Sequence, residues 1–493
     1  MQLEDKTANI TMASARYIPW ALFVLAAAAA IVCIACARPE FNITSTVRPP
    51  QAIIVVLIDA LRPDHLSCYG YERRTSPNID AIASEGVLFE DAYTNGNWTK
   101  PAVASLFTGR WASETGAIKM MIKLEDGTQY FSALSPRLET TAEAVGEKGY
   151  VTWAFVSNPN LSAAAGFGRG FGTYVEETAD CDEIVRRFIQ WQSGLPQGTR
   201  FFTYMHFLEP HAPYAPKEAF RGRFGPHAEA DKFFEEGWDC PKWGTYKNAV
   251  NDGGEEPSEA MLNALTNLYD AEIAWTDDAV GALVGELKAR GAYEETLIIV
   301  TADHGENLYE HGYLAHPATT LFEQQIRIPI VMKPPRSWRV KPGRVSGLAQ
   351  TIDVTATITS AAGAATLGRG RNLVPFSILG RIPEETVISE CFRAFAVRDG
   401  TRKIEFAKGD AAAKPVSLYD IGDDPGETRD ILLKKPSYMA RMTARGSRWL
   451  AFVRGQESAR DSDAPVARAT QAQIDQLRAL GYLGGAVAPA DGR

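Results

Sequence analysis

Three side chains that can bind a metal ion follow closely on two apolar runs of the sequence. Asp59 follows the run 52–58, and Asp303 and His304 follow the run 297–300. Residues just beyond the carboxyl ends of neighbouring parallel strands meet at one edge of a sheet, where ligands bind. Two carboxylates with one imidazole suit Mn²⁺ or Zn²⁺, whereas an all-oxygen set favours Ca²⁺ or Mg²⁺. An aspartate after a strand can also simply cap the next helix, and both interpretations stand here.

A hydroxyl that could act as a nucleophile is the second chemical feature. Residues 97–109 predict a short helix with Pro101 in its first turn and Thr99 beside its N-cap. A hydroxyl there meets unpaired backbone N–H groups and the positive end of the helix dipole, which favour bound anions. The alternative is that Thr99 only caps the helix.

The elements that must position these residues are predicted to alternate between strands and helices. The run 52–58 is continuously apolar and β-branched, which is typical of a strand buried on both faces. Similar runs recur at 151–156, 201–207 and 297–300, and a helical pattern that ends at Gly291 lies between the last two. This alternation predicts a doubly wound, mostly parallel α/β sheet flanked by helices.

The composition is that of an ordinary globular protein. The 493 residues include 51 Lys and Arg against 60 Asp and Glu, which gives a formal net charge of −9. Nucleic acid is not an expected partner, because its binding needs clustered basic residues, and an anionic substrate must be held by local charge. Six cysteines are too few for a disulfide scaffold, and a pairing of Cys181 with Cys240 has no positive support. The sequence indicates no oligomeric state.

The N-terminal segment predicts a protein of the cell envelope. Residues 17–37 are apolar and uncharged and are about long enough to span a bilayer. A start at Met12 would make them a signal peptide, whereas Cys36 resembles a lipoprotein acylation site, although Cys33 replaces the usual leucine. A membrane anchor, a lipid anchor and a cleaved signal stay open, and each places residues 40–493 in the periplasm or outside the cell.

Motifs spread over residues 50–435 resemble the sulfatase family of the alkaline phosphatase superfamily. They follow the family's order at 59–70, 76–80, 86–92, 149–156, 166–171, 206–214, 301–306, 310–312, 327–329 and 418–427. The resemblance implies an alkaline phosphatase-like fold and an ester hydrolase acting on an anionic ester. Short alternating segments at 387–391, 395–397 and 403–407 predict a small C-terminal antiparallel sheet, with a helix between 438 and 453.

The sequence pattern and the resemblance together predict four parts of the chain. Residues 1–49 are the signal or anchor segment and linker, 50–375 a sulfatase-like catalytic domain, 376–456 the small sheet and helix, and 457–493 a tail. Within the second part, residues 222–258 are acidic and glycine-rich and predict an irregular insertion that could cover the site.

The same resemblance implies the members of the active site. One divalent metal ion would be bound by Asp59, Asp303 and His304, with the nucleophile Thr99 as the remaining ligand. His211, in the Pro-His-x-Pro-Tyr motif, would touch the anionic group or the leaving oxygen.

Other residues in these motifs receive lesser roles. His316 lies near a position where relatives carry a lysine or histidine of similar function, and His311 belongs to the Glu-His-Gly turn before it. His206 is predicted to be a packed strand residue. Arg62, Asp64 and Asn158 match the family sequence and are assigned structural roles.

Two positions depart from the family pattern. Ala60 stands where a second acidic ligand is expected. Formylglycine sulfatases carry Cys or Ser where this chain has Thr99, and Arg four residues later, where it has Val103, so no formylglycine is expected. Lys100 could bind substrate in place of the lost guanidinium or point to solvent, and the second interpretation is favoured.

Threonine has a single hydroxyl, so a bound group must leave by attack of water or by transfer to an acceptor. Superfamily members with threonine mostly move phosphoryl groups, so phosphate esters or diesters are favoured over sulfate esters. In the predicted mechanism Thr99 attacks, and His211 or His316 protonates the leaving oxygen. Alternatives are an envelope phosphotransferase of the phosphoethanolamine or phosphoglycerol type, and a non-catalytic binding protein on a sulfatase frame.

Overall fold

A computed structural model of the protein describes residues 48–119, 121–123, 129–234, 240–383, 386–408, 413–458, 466–468 and 470–479. The apolar segment 17–37 lies outside these ranges, so its membrane role stays a prediction. Within the described ranges, no helix has the length and apolar character needed to cross a membrane. Cys181 and Cys240 are both thiols, and no disulfide joins them.

Strands and helices alternate through most of the chain. The described strands are β1 Ala52–Ile58, β2 Val87–Tyr93, β3 Met121–Lys123, β4 Gln129–Ser132, β5 Val151–Val156, β6 Thr173–Glu176, β7 Phe201–Phe207, β8 Thr296–Thr301, β9 Asn307–Leu308, β10 Leu314–Ala315, β11 Arg327–Lys333, β12 Gly343–Gln350, β13 Val387–Glu390, β14 Ala394–Asp399, β15 Arg402–Ala407, β16 Lys414–Asp420 and β17 Val466–Arg468. The described α-helices are α1 Pro77–Glu85, α2 Thr99–Thr108, α3 Ala112–Thr115, α4 Thr141–Gly146, α5 Cys181–Ser193, α6 Glu218–Arg221, α7 Ala228–Asp231, α8 Pro241–Asn251, α9 Glu259–Ala289, α10 Glu323–Ile326, α11 Thr351–Ala361, α12 Val374–Leu379, α13 Pro436–Ser458 and α14 Gln471–Ala479.

An eight-stranded sheet in the order β12-β2-β11-β8-β1-β7-β5-β6 forms the centre of the structure. Its neighbours pair in parallel, except that β11 runs antiparallel to both β2 and β8. Strand β1 lies between β7 and β8, with Ile58 opposite Phe207 and Leu57 opposite Thr301. This register brings the residues that follow β1, β7 and β8 to the same edge of the sheet. The predicted doubly wound, mostly parallel α/β fold is confirmed.

Burial explains why the central strand is uniformly apolar. All seven residues of β1 are buried, because the strand has neighbours on both sides and helices over both faces. Each fully buried Val, Leu or Ile side chain contributes about 1.5–3 kcal/mol to the free energy of unfolding. The strand therefore forms a rigid base for Asp59.

The small C-terminal antiparallel sheet predicted from the sequence is also confirmed. It has the order β13-β14-β15-β16. Helix α13 covers one face, and its residues Met442 and Trp449 join Phe395 and Phe406 of the sheet in a second hydrophobic cluster.

The prediction that residues 222–258 are irregular is wrong for residues 241–251. Residues 241–251 form helix α8, with Pro241 at its first turn, where a missing backbone N–H costs no hydrogen bond. Trp243 and Tyr246 on this helix are buried in the main core. Glycine and acidic residues at the flanks concealed this amphipathic segment.

Candidate active site

The structure brings Asp59, Asp303 and His304 together at the carboxyl edge of the main sheet. Asp59 follows β1, and Asp303 and His304 follow its neighbour β8. All three residues are buried, and one potential ligand atom from each lies within 4.8 Å of the others. His304 Nε2 is 3.3 Å from Asp59 Oδ1 and 3.5 Å from Asp303 Oδ2.

Backbone hydrogen bonds orient two members of this cluster. Asp303 Oδ1 accepts from the backbone N–H groups of Ala60, at 3.2 Å, and His304, at 2.9 Å. His304 Nδ1 lies 2.8 Å from the carbonyl oxygen of Gly305, which can only accept, so Nδ1 carries the proton and Nε2 is left as a ligand atom. A Cβ atom at position 305 would lie 2.1 Å from the carbonyl oxygen of Gln324, so this turn requires glycine.

The backbone of Ala60 helps to orient Asp303. Its φ of 58° lies in the left-handed region, which is uncommon for a residue that carries a Cβ atom. In this conformation its N–H group donates to Asp303. Strained backbone of this kind persists where the surrounding structure holds it, and it clusters at functional sites.

The cluster of Asp59, Asp303 and His304 has the donor atoms and the charge of a cation site. Asp59 Oδ1 and Asp303 Oδ2 are buried and have no hydrogen-bond partner among the described residues. Burial and the charge of Asp59 raise the pKa of Asp303 to about 6. Burial also acts to raise the pKa of Asp59, but the neighbouring histidines outweigh it and hold that pKa below its usual range. A divalent cation would satisfy both carboxylates, so these residues fit a metal ion.

Thr99 extends the cluster from the tip of helix α2. Its Oγ1 lies 3.5 Å from Asp59 Oδ2 and 3.3 Å from His304 Nε2. The N-cap of the helix is Trp98, and Thr99 is the first helical residue, so the interpretation of Thr99 as a cap is wrong. The hydroxyl is thus placed beside the potential metal ligands.

Asn158 and His206 complete the surroundings of Asp59. Asn158 Nδ2 donates to Asp59 Oδ2 at 2.9 Å and to Thr99 Oγ1 at 3.3 Å. His206 Nε2 is 3.1 Å from the same carboxylate oxygen, and its Nδ1 is 3.0 Å from the hydroxyl of Tyr204. The sequence analysis gave both residues structural roles, although each lies at the carboxyl end of a strand, β5 or β7, where site residues are expected.

His211 and His316 lie on one side of the cluster. The ring centre of His316 is 4.6 Å from that of His211 and 4.3 Å from that of His304. His211 Nδ1 is 2.5 Å from the carbonyl oxygen of Ala212. Burial lowers the pKa of His211 to about 4 and that of His316 well below its usual value. Both rings are therefore uncharged at neutral pH in the free protein.

His311 does not join the cluster. Its ring stacks on Phe322 with 3.7 Å between ring centres, and its Nε2 is 3.2 Å from Gln324 Oε1. Among the described residues, no hydrogen bond or ring contact links it to Asp59 or His304. The structure therefore gives His311 no part in the chemistry of the cluster.

Lys100 is fully buried, so the favoured prediction that it points to solvent is wrong. Its Nζ lies 4.5 Å from the ring centre of Phe131 and 3.5 Å from the carbonyl oxygen of Ser132. All ten residues of helix α2 are buried, which the prediction of a surface lysine did not anticipate. Burial lowers the pKa of Lys100 to about 7.

Glu209 gives a prediction about pH and stability. It is buried two residues before His211, and neither carboxyl oxygen has a hydrogen-bond partner among the described residues. Burial raises its pKa from the usual 4.5 to about 8. Between these two pKa values the folded protein keeps the proton of Glu209, whereas the unfolded chain loses it. The stability that the protonated Glu209 contributes to the fold is therefore fully present below the unfolded pKa and is lost as pH rises towards 8.

We expect Glu209→Gln, which cannot ionise, to gain melting temperature relative to the parent protein as pH rises through this window, by on the order of a few degrees. Thermal denaturation of both proteins at several pH values measures this difference. Glu218→Gln, at an exposed position of helix α6, is the matched control and should follow the parent protein. A melting-temperature difference between Glu209→Gln and the parent that does not change with pH would contradict the prediction.

Comparison with protein-family models matches residues 51–364 to the model described as Sulfatase. Arylsulfatase A of Homo sapiens is 25% identical over 457 residues, which cover 78% of this chain and 84% of that protein. The multifunctional alkaline phosphatase superfamily protein PehA of Trinickia caryophylli is 23% identical, over 79% of this chain and 92% of its own length.

Solved structures share the fold at lower identity. The phosphonate monoester hydrolase of Agrobacterium radiobacter superposes with a TM-score of 0.63 and 21% identity, covering 83% of this chain and 96% of that one. A protein solved in complex with its substrate D-glucosamine-2-N,6-O-disulfate gives a TM-score of 0.64 and 19% identity, covering 84% and 99%.

Proposed function

This chain belongs to the sulfatase family and is an ester hydrolase, and we propose that it hydrolyses phosphate or sulfate esters with Thr99 as its nucleophile and phosphate esters as its favoured substrates. The observation that carries the proposal is the position of Thr99 Oγ1, within 3.5 Å of both Asp59 Oδ2 and His304 Nε2. A hydroxyl becomes an effective nucleophile when neighbouring groups or a metal ion lower its pKa.

Asp59, Asp303 and His304 would hold one divalent metal ion, with Thr99 as the remaining protein ligand. When bound, the ion supplies Lewis acidity, which lowers the pKa of a hydroxyl and offsets the charge on the nonbridging oxygens of the ester. The imidazole favours Mn²⁺ or Zn²⁺, and the two carboxylates leave Ca²⁺ as the alternative.

Asn158, helix α2 and the histidines would position the nucleophile and transfer protons. Asn158 and the first turn of helix α2 hold the Thr99 hydroxyl in place. The hydroxyl loses its proton to a solvent water, its oxygen bonds to the phosphorus or sulfur atom, and the bond from that atom to the leaving oxygen breaks. His211 Nε2 or His316 then provides a proton to the leaving oxygen. Because both rings are uncharged in the free protein, the negative charge of the bound ester must first raise the pKa of the ring that donates.

The single hydroxyl of Thr99 favours phosphate esters. A formylglycine hydrate expels sulfate by re-forming its aldehyde, a route that threonine lacks. The group bound to Thr99 must instead be released by water, which attacks phosphorus in a phosphothreonine. Similarity to phosphonate monoester hydrolases supports action on esters of phosphorus as well as of sulfur.

Turnover of p-nitrophenyl phosphate, methyl p-nitrophenyl phosphate and p-nitrophenyl sulfate, each with Mn²⁺, Zn²⁺ or Ca²⁺, tests the proposal. We expect metal-dependent release of p-nitrophenol, fastest with a phosphate ester. Faster turnover of the sulfate would overturn the preference. Metal binding without turnover of any ester would favour a non-catalytic binding protein.

Asn158 is predicted to position the Thr99 hydroxyl. Its Nδ2 contacts both Asp59 and Thr99, so it fixes the position of the proposed nucleophile relative to a proposed metal ligand. We expect Asn158→Ala to lower kcat by about 10–100-fold, as is typical when a residue that orients a ligand is lost. Steady-state kinetics at saturating metal measure this, and Asn160→Ala, on the same turn, is the control. An unchanged kcat for Asn158→Ala would contradict the positioning role.

A further inference from the structure

Lys247 lies on helix α8, which is hydrogen-bonded to the segment that carries His316. Asn251 lies one helical turn further along, on the same face of the helix. Its Nδ2 donates to the carbonyl oxygen of Leu314 at 3.1 Å, and its Oδ1 accepts from the N–H group of Leu314 at 2.7 Å. Leu314 is two residues before His316, so these bonds fasten the face that carries Lys247 against the segment that carries His316.

Lys247 is within electrostatic range of the two histidines. Burial is the main cause that lowers the pKa values of His211 and His316, and the positive charge of Lys247 lowers both further. Burial also lowers the pKa of Lys247, and the charge of Glu306 opposes that effect. Glu306 is buried, with Oε2 3.5 Å from His316 Nδ1. The side chains of Lys247 and Glu306 and two imidazoles thus share one side of the site.

The site has need of such a cation. Val103 stands where formylglycine sulfatases carry Arg, and it is packed in the main hydrophobic core. A phosphate monoester carries up to two negative charges, one more than a diester or a sulfate ester.

We propose that Lys247 binds a nonbridging oxygen of the substrate on the side of His211 and His316, and that it makes the site select dianionic phosphate monoesters over monoanionic esters. The inference rests on the proposed function, because it assigns a substrate class to the same site. Helix α8 lies between the motifs at 206–214 and 301–306, so this selectivity comes from a segment outside the motifs that carry the family resemblance.

Two measurements on the metal-loaded full chain test the inference. For Lys247→Gln we expect kcat/KM for p-nitrophenyl phosphate to fall by about 10–100-fold, as for the loss of one hydrogen bond to a charged group. The loss for methyl p-nitrophenyl phosphate and p-nitrophenyl sulfate should be under about 5-fold, since each carries one charge fewer. Calorimetry should show inorganic phosphate binding weakened by a factor similar to that for the monoester.

Lys242→Gln removes the same charge from an exposed position of helix α8 and should match the parent protein in both measurements. Lys247→Arg should restore most of the monoester activity, which separates the loss of charge from the loss of fold. Equal losses on all three esters, or none on the monoester, would overturn the inference. If the parent protein hydrolyses none of the esters, the proposed function fails, and calorimetry alone decides: weaker phosphate binding in Lys247→Gln supports the inference and unchanged binding overturns it.

Discussion

Replacing Thr99 with valine is expected to lower kcat for the best ester substrate by at least about 1000-fold, the scale seen when a nucleophile is removed. Valine has nearly the shape of threonine, so the buried helix tip keeps its packing while the hydroxyl is lost. The hydroxyl is the one group at this position that can form a covalent bond to phosphorus or sulfur. Steady-state kinetics, with the melting temperature as a check of folding, measure the effect.

Thr99→Ser is the matched control, because it keeps the hydroxyl and removes only a methyl group. We expect this variant to retain metal-dependent turnover within about 100-fold of the parent protein, the smaller loss reflecting a less constrained hydroxyl. A Thr99→Val protein that is folded and still as active as Thr99→Ser would exclude Thr99 as the nucleophile.

Asp303→Asn is expected to abolish metal-dependent activity while leaving the metal-free protein as stable as the parent or more so. In the metal-free state Asp303 and Asp59 are buried close together, and burial with the charge of Asp59 raises the pKa of Asp303 to about 6. Asparagine removes that repulsion, but it also removes an anionic ligand. The parent protein should gain roughly 2–3 kcal/mol of unfolding free energy in metal at about 100 times its Kd.

Melting temperatures of the parent protein and Asp303→Asn, with a chelator and with added Mn²⁺ or Zn²⁺, measure both the metal-free stability and the gain from metal. Asp64→Asn is a suitable control, because Asp64 pairs with Arg62 rather than with the cluster. A metal-induced rise in melting temperature that survives in Asp303→Asn would show that the ion binds elsewhere.

The sequence was sufficient to predict the strands that carry the site. Residues 52–58, 151–156 and 201–207 coincide with β1, β5 and β7, because strands buried on both faces must be continuously apolar. The small C-terminal sheet was predicted from the short alternating segments at 387–391, 395–397 and 403–407. Helix α8 was not predicted, since glycine and acidic residues around it hide a pattern of buried aromatic residues.

From the residues alone, a site residue could be predicted only where a side chain of suitable chemistry follows a predicted strand or begins a predicted helix. Asp59 and Asp303 are polar residues that follow apolar runs, and Thr99 opens a helix marked by Pro101. The resemblance to a known family supplied the roles of the histidines, which spacing alone does not assign.

The contacts of Asn158, His206 and Lys247 could not be predicted from their positions along the chain. Asn158 reaches Asp59 and Thr99 only because β5 and β1 are separated by a single strand, β7. Lys247 depends on two hydrogen bonds between Asn251 and Leu314, residues 63 apart in sequence. Such contacts arise from strand order and helix docking, which local patterns do not encode.

The most direct test of the central claim is the mass of the peptide that contains Thr99, measured after rapid acid quenching of the metal-loaded protein during turnover of a p-nitrophenyl phosphate ester. The proposed mechanism predicts one added phosphoryl group, located on Thr99 by fragmentation and missing in Thr99→Val. Two results would contradict the assignment of Thr99 as the nucleophile. One is an unmodified Thr99 peptide in samples quenched while rapid-mixing kinetics show that p-nitrophenol is being released, and the other is a phosphoryl group on another residue.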